Sequence, residues 1–226
     1  MNLTGKLYIV ATPIGNPKDI TLRAIEILNS CNAVICEEMR EGTTLLKSIS
    51  ISSKEIIILN EHNEAEMSSE VLTRLFKGEN LALISDCGTP VFADPGHYLV
   101  RLASQSGVPI IPVPGASSIT AALSILDFEI HQFVYGGFLS REPEKRKQEL
   151  TRLRATGLPV VLMDTPYRLG NLMHDVVTVF GKNQSVTLAC DLTLPKEKIF
   201  RGTASQISTQ ALGKKSEFIL IVHNTR

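Results

Sequence analysis

Three short segments place glycine, proline and polar side chains directly after apolar runs. They are Thr12-Pro13-Ile14-Gly15-Asn16-Pro17, Ser85-Asp86-Cys87-Gly88-Thr89-Pro90 with Asp94-Pro95-Gly96 close behind, and Pro112-Val113-Pro114-Gly115-Ala116-Ser117-Ser118. Glycine lets a backbone come close to a ligand, and proline stiffens the approach. Ser117 can cap the helix that follows it, turning that helix's first amides toward the same ligand. Any one of these segments alone reads as a plain turn. Three of them, each at a strand end, argue for one ligand site. The dinucleotide pattern GxGxxG does not follow the first strand, and the phosphate-loop pattern GxxxxGK[ST] is absent. A nicotinamide dehydrogenase or a P-loop NTPase is therefore disfavoured.

Positioning these segments requires alternating strands and helices, and the hydrophobic pattern supplies them. Strands are predicted at Leu7–Ala11, Ala33–Glu38, Glu55–Asn60, Leu81–Ser85 and Val108–Val113, with helices between them, among them Glu64–Lys77 closed by Gly78. Their near-continuous apolar character predicts a parallel sheet covered on both faces. In such α/β sheets ligands bind beyond the carboxyl ends of the strands, where the three segments lie. After Gly115 the texture changes. A helix of small residues is predicted over Ala116–Leu126, then a strand over Gln132–Leu139, a charged helix, a strand over Pro159–Asp164, and a helix ended by Gly181. Three closely spaced strands follow, "SVTLACDL", "KIFRGT" and "EFILIVH", whose alternation predicts a mixed sheet. The fold class is thus α/β with two lobes, residues 1–116 and 117–226: a parallel-sheet N-terminal lobe and a mixed-sheet C-terminal lobe.

Bulk properties narrow the classes. The chain has 226 residues, 43% apolar and 20% charged, with zero formal net charge. That length buries a sizeable core, and the charge balance gives no global pull toward nucleic acid or membrane surfaces. The four cysteines Cys31, Cys36, Cys87 and Cys190 lack CxxC spacing, which disfavours a zinc site, so no metal is expected. No signal-peptide pattern opens the chain, and no apolar run reaches the roughly 18 residues of a membrane span. A soluble cytoplasmic protein is expected.

"LYIVATPIGNPKDITLRAIEIL", "EHNE", "ALISDCGTPVFADPG", "VPIIPVPGASSITAALS", "GFLSREPEKRKQEL" and "RGTASQI" occur in that order. Together they resemble the tetrapyrrole methylase superfamily, and within it the ribosomal RNA small-subunit methyltransferase I family, over essentially the whole chain. The resemblance implies a homodimer, with S-adenosylmethionine held in a cleft between the two lobes. It also implies 2′-O-methylation of a cytidine ribose in small-subunit (16S) rRNA, making that RNA or the 30S subunit the partner. Carried over residue by residue, Pro13 lies near the methyl-transfer channel. Asp86, Cys87, Gly88, Thr89 and Phe92 line the methionine end of the cofactor, Ser117 and Ser118 lie near its polar groups, and Met163 and Leu192 flank the adenine.

The departures lie away from the cofactor segments. Glu37-Glu38-Met39-Arg40 replaces the family's Glu-Asp-Thr-Arg. Thr165-Pro166-Tyr167-Arg168-Leu169 replaces "SPHRL", Asp191-Leu192-Thr193-Leu194 lacks a family lysine, and the chain ends without the small C-terminal domain of many members. Cofactor binding is thereby better supported than the acceptor. Methylation of a small molecule such as a corrin or porphyrin precursor, or non-catalytic binding of S-adenosylmethionine, are the alternatives.

A ribose hydroxyl is a poor nucleophile at neutral pH, so a general base or a cation beside the developing alkoxide helps. Glu38 is the candidate base, and Arg40 the candidate to bind a phosphate or orient the hydroxyl. A surface ion pair between the two is the simpler alternative. Glu61, His62 and Glu64 after the third strand could join them, and His62 could equally cap its loop. The basic residues Arg141, Lys145, Arg146, Lys147, Arg152 and Arg154 alternate with Glu142, Glu144 and Glu149. They read as a solvated helix face or as an RNA-backbone contact, and the neutral charge and 5% aromatic content favour the solvated face.

Overall fold

The computed structural model describes residues 4–211, 213 and 215–224. Its contacts divide the chain after Ser117 into two compact units, each built on its own five-stranded sheet. The first sheet holds β1 (Leu7–Val10), β2 (Ala33–Cys36), β3 (Glu55–Ile58), β4 (Leu81–Ile84) and β5 (Ile110–Val113). All are parallel, in the order β3-β2-β4-β1-β5. Four helices cover it: α1 (Leu22–Ser30), α2 (Met39–Ser48), α3 (Glu64–Phe76) and α4 (His97–Gln105). Leu7, Ala33, Ile35, Leu81 and Leu83 pack with Val71 and Leu75 of α3 and Leu99 of α4. Val10, Val34, Cys36, Ala82 and Ile84 pack with Ala24 and Leu28 of α1 and Leu46 of α2. Both faces are covered, so β2 and β4 are buried along their whole length, as their unbroken apolar runs require. Pro112 is tolerated because β5 is an edge strand.

The second unit contains α5 (Ser118–Ser124), β6 (Val134–Phe138), α6 (Pro143–Ala155), β7 (Val160–Asp164), α7 (Leu169–Phe180), β8 (Ser185–Cys190), β9 (Lys198–Thr203), α8 (Ala204–Ala211) and β10 (Phe218–Val222). The strand order is β6-β7-β10-β8-β9. Only β6 and β7 are parallel, which gives the mixed sheet read from the sequence. The predicted alternation fails for β8 and β10. Both are interior strands with helices α6, α7 and α8 on one face and α5 on the other, so nearly every residue is buried. Helix α5 is shorter than its pattern at both ends, and Ser124 Oγ donates back to Ala121 O at 2.8 Å in its last turn. Among the described residues no helix is long and apolar enough to cross a membrane.

The charged helix α6 departs from the solvated face expected of it. Arg146 is only 5% exposed and pairs with the equally buried Asp175 of α7, with Nε and Nη2 both 2.7 Å from Oδ2. Its Nη1 donates to Ser140 O and Arg141 O, both at 3.3 Å. Arg168 completes a clamp, donating to Leu139 O at 2.9 Å and Ser140 O at 2.7 Å and pairing with Asp164 at 3.1 Å. Two guanidinium groups thus hold the three successive carbonyls that follow β6. Breaking a buried pair strands a charge, whereas replacing both partners removes it. Asp175→Ala is expected to lower the unfolding free energy by about 3–5 kcal/mol in urea denaturation. The joint change of Arg146→Met and Asp175→Leu is expected to restore most of it.

Candidate active site

In the first unit β4, β1 and β5 are neighbours, so their carboxyl ends stand side by side. The chain leaves β1 toward β2 and leaves β4 toward β5, in opposite directions across the sheet. Adjacent strand ends of that kind form the ligand crevice of open α/β sheets. The Gly88 carbonyl ties the loops there. It accepts the Thr12 N–H at 2.8 Å, Thr12 Oγ1 at 3.3 Å and Ser85 Oγ at 2.9 Å. Thr12 Oγ1 also reaches Ser85 O at 3.1 Å, and Thr89 Oγ1 donates to Ala116 O in the β5 loop at 3.3 Å. Gly88 has φ +83°, and a Cβ there would lie 3.2 Å from Ile14 Cγ2 and 3.7 Å from Ala116 O. All three glycine-proline segments therefore meet at one glycine. Asp86, Cys87, Thr89 and Phe92 stand exposed around it, Phe92 by 56%. Pro13 and Ser117 are partly buried in the flanking loops.

In the second unit Met163 and Leu192 lie on the same face of the sheet as α5, which begins at Ser118. Two β-branched residues adopt left-handed backbone next to proposed cofactor contacts: Val91 with φ 70° beside Phe92, and Thr193 with φ 67° beside Leu192. Such conformations are held by their surroundings, at roughly 1–3 kcal/mol each, and cluster at ligand sites. Asp191, also left-handed at φ 51°, pairs with Lys196 at 3.1 Å, so an ammonium two residues downstream of the missing family lysine holds this turn.

Glu38 immediately precedes α2, and its carbonyl accepts the Gly42 N–H at 3.1 Å and Cys36 Sγ at 3.4 Å. Its side chain is exposed and makes no ion pair with Arg40, which is exposed in the first turn of α2; the simple ion-pair alternative is absent among the described residues. The Glu38 N–H opposes the rise in the Asp86 pKa, so the cofactor loop adjoins the loop bearing the candidate base. Glu64 is corrected: its Oε1 accepts the N–H groups of Gly96 at 2.8 Å and Tyr98 at 2.9 Å, capping α4 and fixing the far end of the 85–96 loop. Glu61 and His62 form an exposed pair at 3.5 Å.

Carboxylates crowd this edge. Burial, then the neighbouring charges of Asp86, Asp94, Glu38 and Glu61, raise the pKa of Glu37. Burial, then Glu41 and Glu38, raise that of Asp86 against the opposing Glu38 N–H. Burial and Asp86 raise that of Asp94, and burial and Asp86 push the Cys36 thiol up to about 11. In the sequence Thr12, Ser85 and Asp94 stand within the candidate segments and Glu37 among the departures, and none of them carries an individual role. The positions of Thr12 and Ser85 at strand ends were visible, but their shared acceptor was not.

A family model described as tetrapyrrole (corrin/porphyrin) methylases matches residues 6–208. A ribosomal RNA small subunit methyltransferase I of Xylella fastidiosa is 36% identical over 226 residues, covering 98% of this chain and 82% of that protein. The chain belongs to the tetrapyrrole methylases, in the ribosomal RNA small subunit methyltransferase I family. The relative in Leptospira biflexa is 35% identical, covering 98% of this chain and 92% of its own length. That in Escherichia coli O157:H7 is 34% identical, covering 98% and 78%. Among solved structures, uroporphyrin-III C-methyltransferase of Thermus thermophilus complexed with S-adenosylhomocysteine superposes with TM-score 0.70 at 17% identity, covering 96% of this chain and 97% of that one. A cobalt precorrin-4 methyltransferase does so with TM-score 0.68 at 20% identity, covering 96% and 94%. At such identities the likeness concerns the fold.

The residues present fit the family's cofactor. S-adenosylmethionine bears a sulfonium and an ammonium group, and the carboxylates around the converging loops offer the opposite charge in a half-buried setting. That arrangement strains the fold. A carboxyl group whose pKa is raised on folding leaves stability intact below the ordinary carboxylate range. The stability is lost as pH rises through the raised value and the group ionises. Glu37→Gln is therefore expected to raise the melting temperature by a few degrees at pH 7. The gain should vanish toward pH 4, as thermal melts across that range would record.

Proposed function

We propose that this chain is an S-adenosylmethionine-dependent methyltransferase that methylates a ribose 2′-hydroxyl of a cytidine in small-subunit ribosomal RNA. The observation that carries this reading is the 36% identity to a ribosomal RNA small subunit methyltransferase I across 98% of the chain. The meeting of the three loops at Gly88 supports it. Pro13, Asp86, Cys87, Gly88, Thr89, Phe92, Ser117 and Ser118 hold the methionine end and polar groups of the cofactor, largely through backbone, and Met163 and Leu192 hold its adenine. When bound, the cofactor supplies an electrophilic methyl group. The protein orients the acceptor and excludes water, and good positioning contributes on the order of 7–11 kcal/mol.

Glu38 takes the proton from the ribose 2′-hydroxyl. Its carbonyl is held by the Gly42 N–H, and its exposed carboxylate makes no ion pair among the described residues, which suits it to that role. Arg40, two residues further on, binds the flanking phosphate. The reading places the protein in the cytoplasm, where small subunits are made, and as a homodimer, which sedimentation tests directly.

Purified protein incubated with unmethylated small subunits and S-adenosylmethionine should yield a single new ribose methylation on mapping of the RNA. Glu38→Ala should lower kcat by about 10²–10⁴, the range of general-base catalysis, with cofactor affinity unchanged. An unaltered methylation map with the wild-type protein would remove the assignment.

A further inference from the structure

The clamp in the second unit holds a surface next to the proposed adenine contact Met163. Arg168 joins the turn after β7 to the end of β6 by its bonds to Leu139 O and Ser140 O, and Asp164, itself buried, fixes the guanidinium. Arg146 shares Ser140 O and fixes Arg141 O, and Glu149 Oε2 accepts the Ser140 N–H at 2.8 Å. Two large aromatic residues stand on these two joined strand ends. Tyr167, next to the clamping Arg168, is 76% exposed, and Phe138, next to the clamped Leu139, is 50% exposed. Phe138 is the register partner of Met163 on β7. Lys215 Nζ sits 4.9 Å from the Tyr167 ring centroid, a cation–π contact.

The charges around these rings are uneven. Glu142 and Glu144 are occupied by Lys145 and Lys147, each at 3.1 Å. Arg141, exposed at the clamped loop, and Lys215 make no ion pair among the described residues. A rigid backbone, exposed aromatic rings and cations that no carboxylate pairs among the described residues are the elements of a single-strand binding platform. Successive bases stack on the rings and the backbone phosphates meet the cations. A buried arginine pair contributes little net stability, so its use to immobilise a surface loop points to pre-organisation for a ligand.

We infer that Tyr167 and Phe138, with Arg141 and Lys215, form a stacking platform for unpaired nucleotides of the RNA substrate. The inference rests on the proposed action on RNA and extends it to a site of recognition. The rings supply sequence-tolerant stacking, and the cations supply a salt-dependent hold on the phosphates.

Anisotropy with a fluorescently labelled single-stranded RNA oligonucleotide, run beside methylation kinetics on small subunits, tests it. Tyr167→Ala should raise the oligonucleotide Kd and the KM for subunits about tenfold, leaving kcat and the cofactor Kd unchanged, and Tyr167→Phe should behave as wild type. Lys215→Ala should flatten the salt dependence of RNA binding. Unchanged Kd and KM in Tyr167→Ala, with wild-type methylation intact, would overturn the platform alone. A wild-type protein that methylates no small-subunit RNA would sink the enzymatic assignment and the platform with it. A change in sedimentation mass for Phe138→Ala or Tyr167→Ala, with RNA binding unaltered, would assign this face to a second copy of the chain and also overturn the proposal.

Discussion

The Gly88 carbonyl is the point on which the first unit's functional edge depends. It gathers a backbone N–H and a hydroxyl from Thr12 and the hydroxyl of Ser85, so the loops after β1 and β4 cannot move apart without leaving a polar group unpaired. Exposing or orphaning such a buried group costs about 1–3 kcal/mol. The geometry favours glycine, because a side chain is strained at this positive φ and its Cβ would press on Ile14 at 3.2 Å. The parallel sheet places the strand ends together, and this one carbonyl turns adjacent ends into a single surface.

The two units stiffen their loops by different chemistry. In the first, short hydroxyl side chains bond to backbone and Glu64 caps α4 from 32 residues away, with little charge buried. In the second, Arg146 and Arg168 hold three carbonyls while paired with buried aspartates. Each solution fixes backbone and leaves side chains exposed beside it. The carboxylates crowded at the ends of β2 and β4 are the unfavourable counterpart. They are destabilised by burial and by one another, and a cationic ligand relieves both.

Much of this was legible in the sequence, because the signals were local. Apolar runs set the strands, and glycine and proline set the loops after β1, β4 and β5. The mixed character of the second sheet was also readable. What escaped was set by partners distant in the chain. Glu64 looks like any loop carboxylate until Gly96 and Tyr98 are placed against it. Arg146 is indistinguishable from Lys145 and Lys147 in a charged run, yet it alone turns inward, because Asp175 waits on α7. The exposure of Phe138 and Tyr167 likewise depends on strand adjacency and not on spacing. The alternation read into β8 and β10 failed because interior strands of this sheet are covered on both faces.

The central claim is that loops meeting at Gly88 hold S-adenosylmethionine. Calorimetric titration of the cofactor into wild type and Gly88→Val tests it most directly. A saturable heat of binding in wild type, lost in a variant that keeps its cooperative melt, is the predicted result. Equal affinity in the two proteins would contradict it.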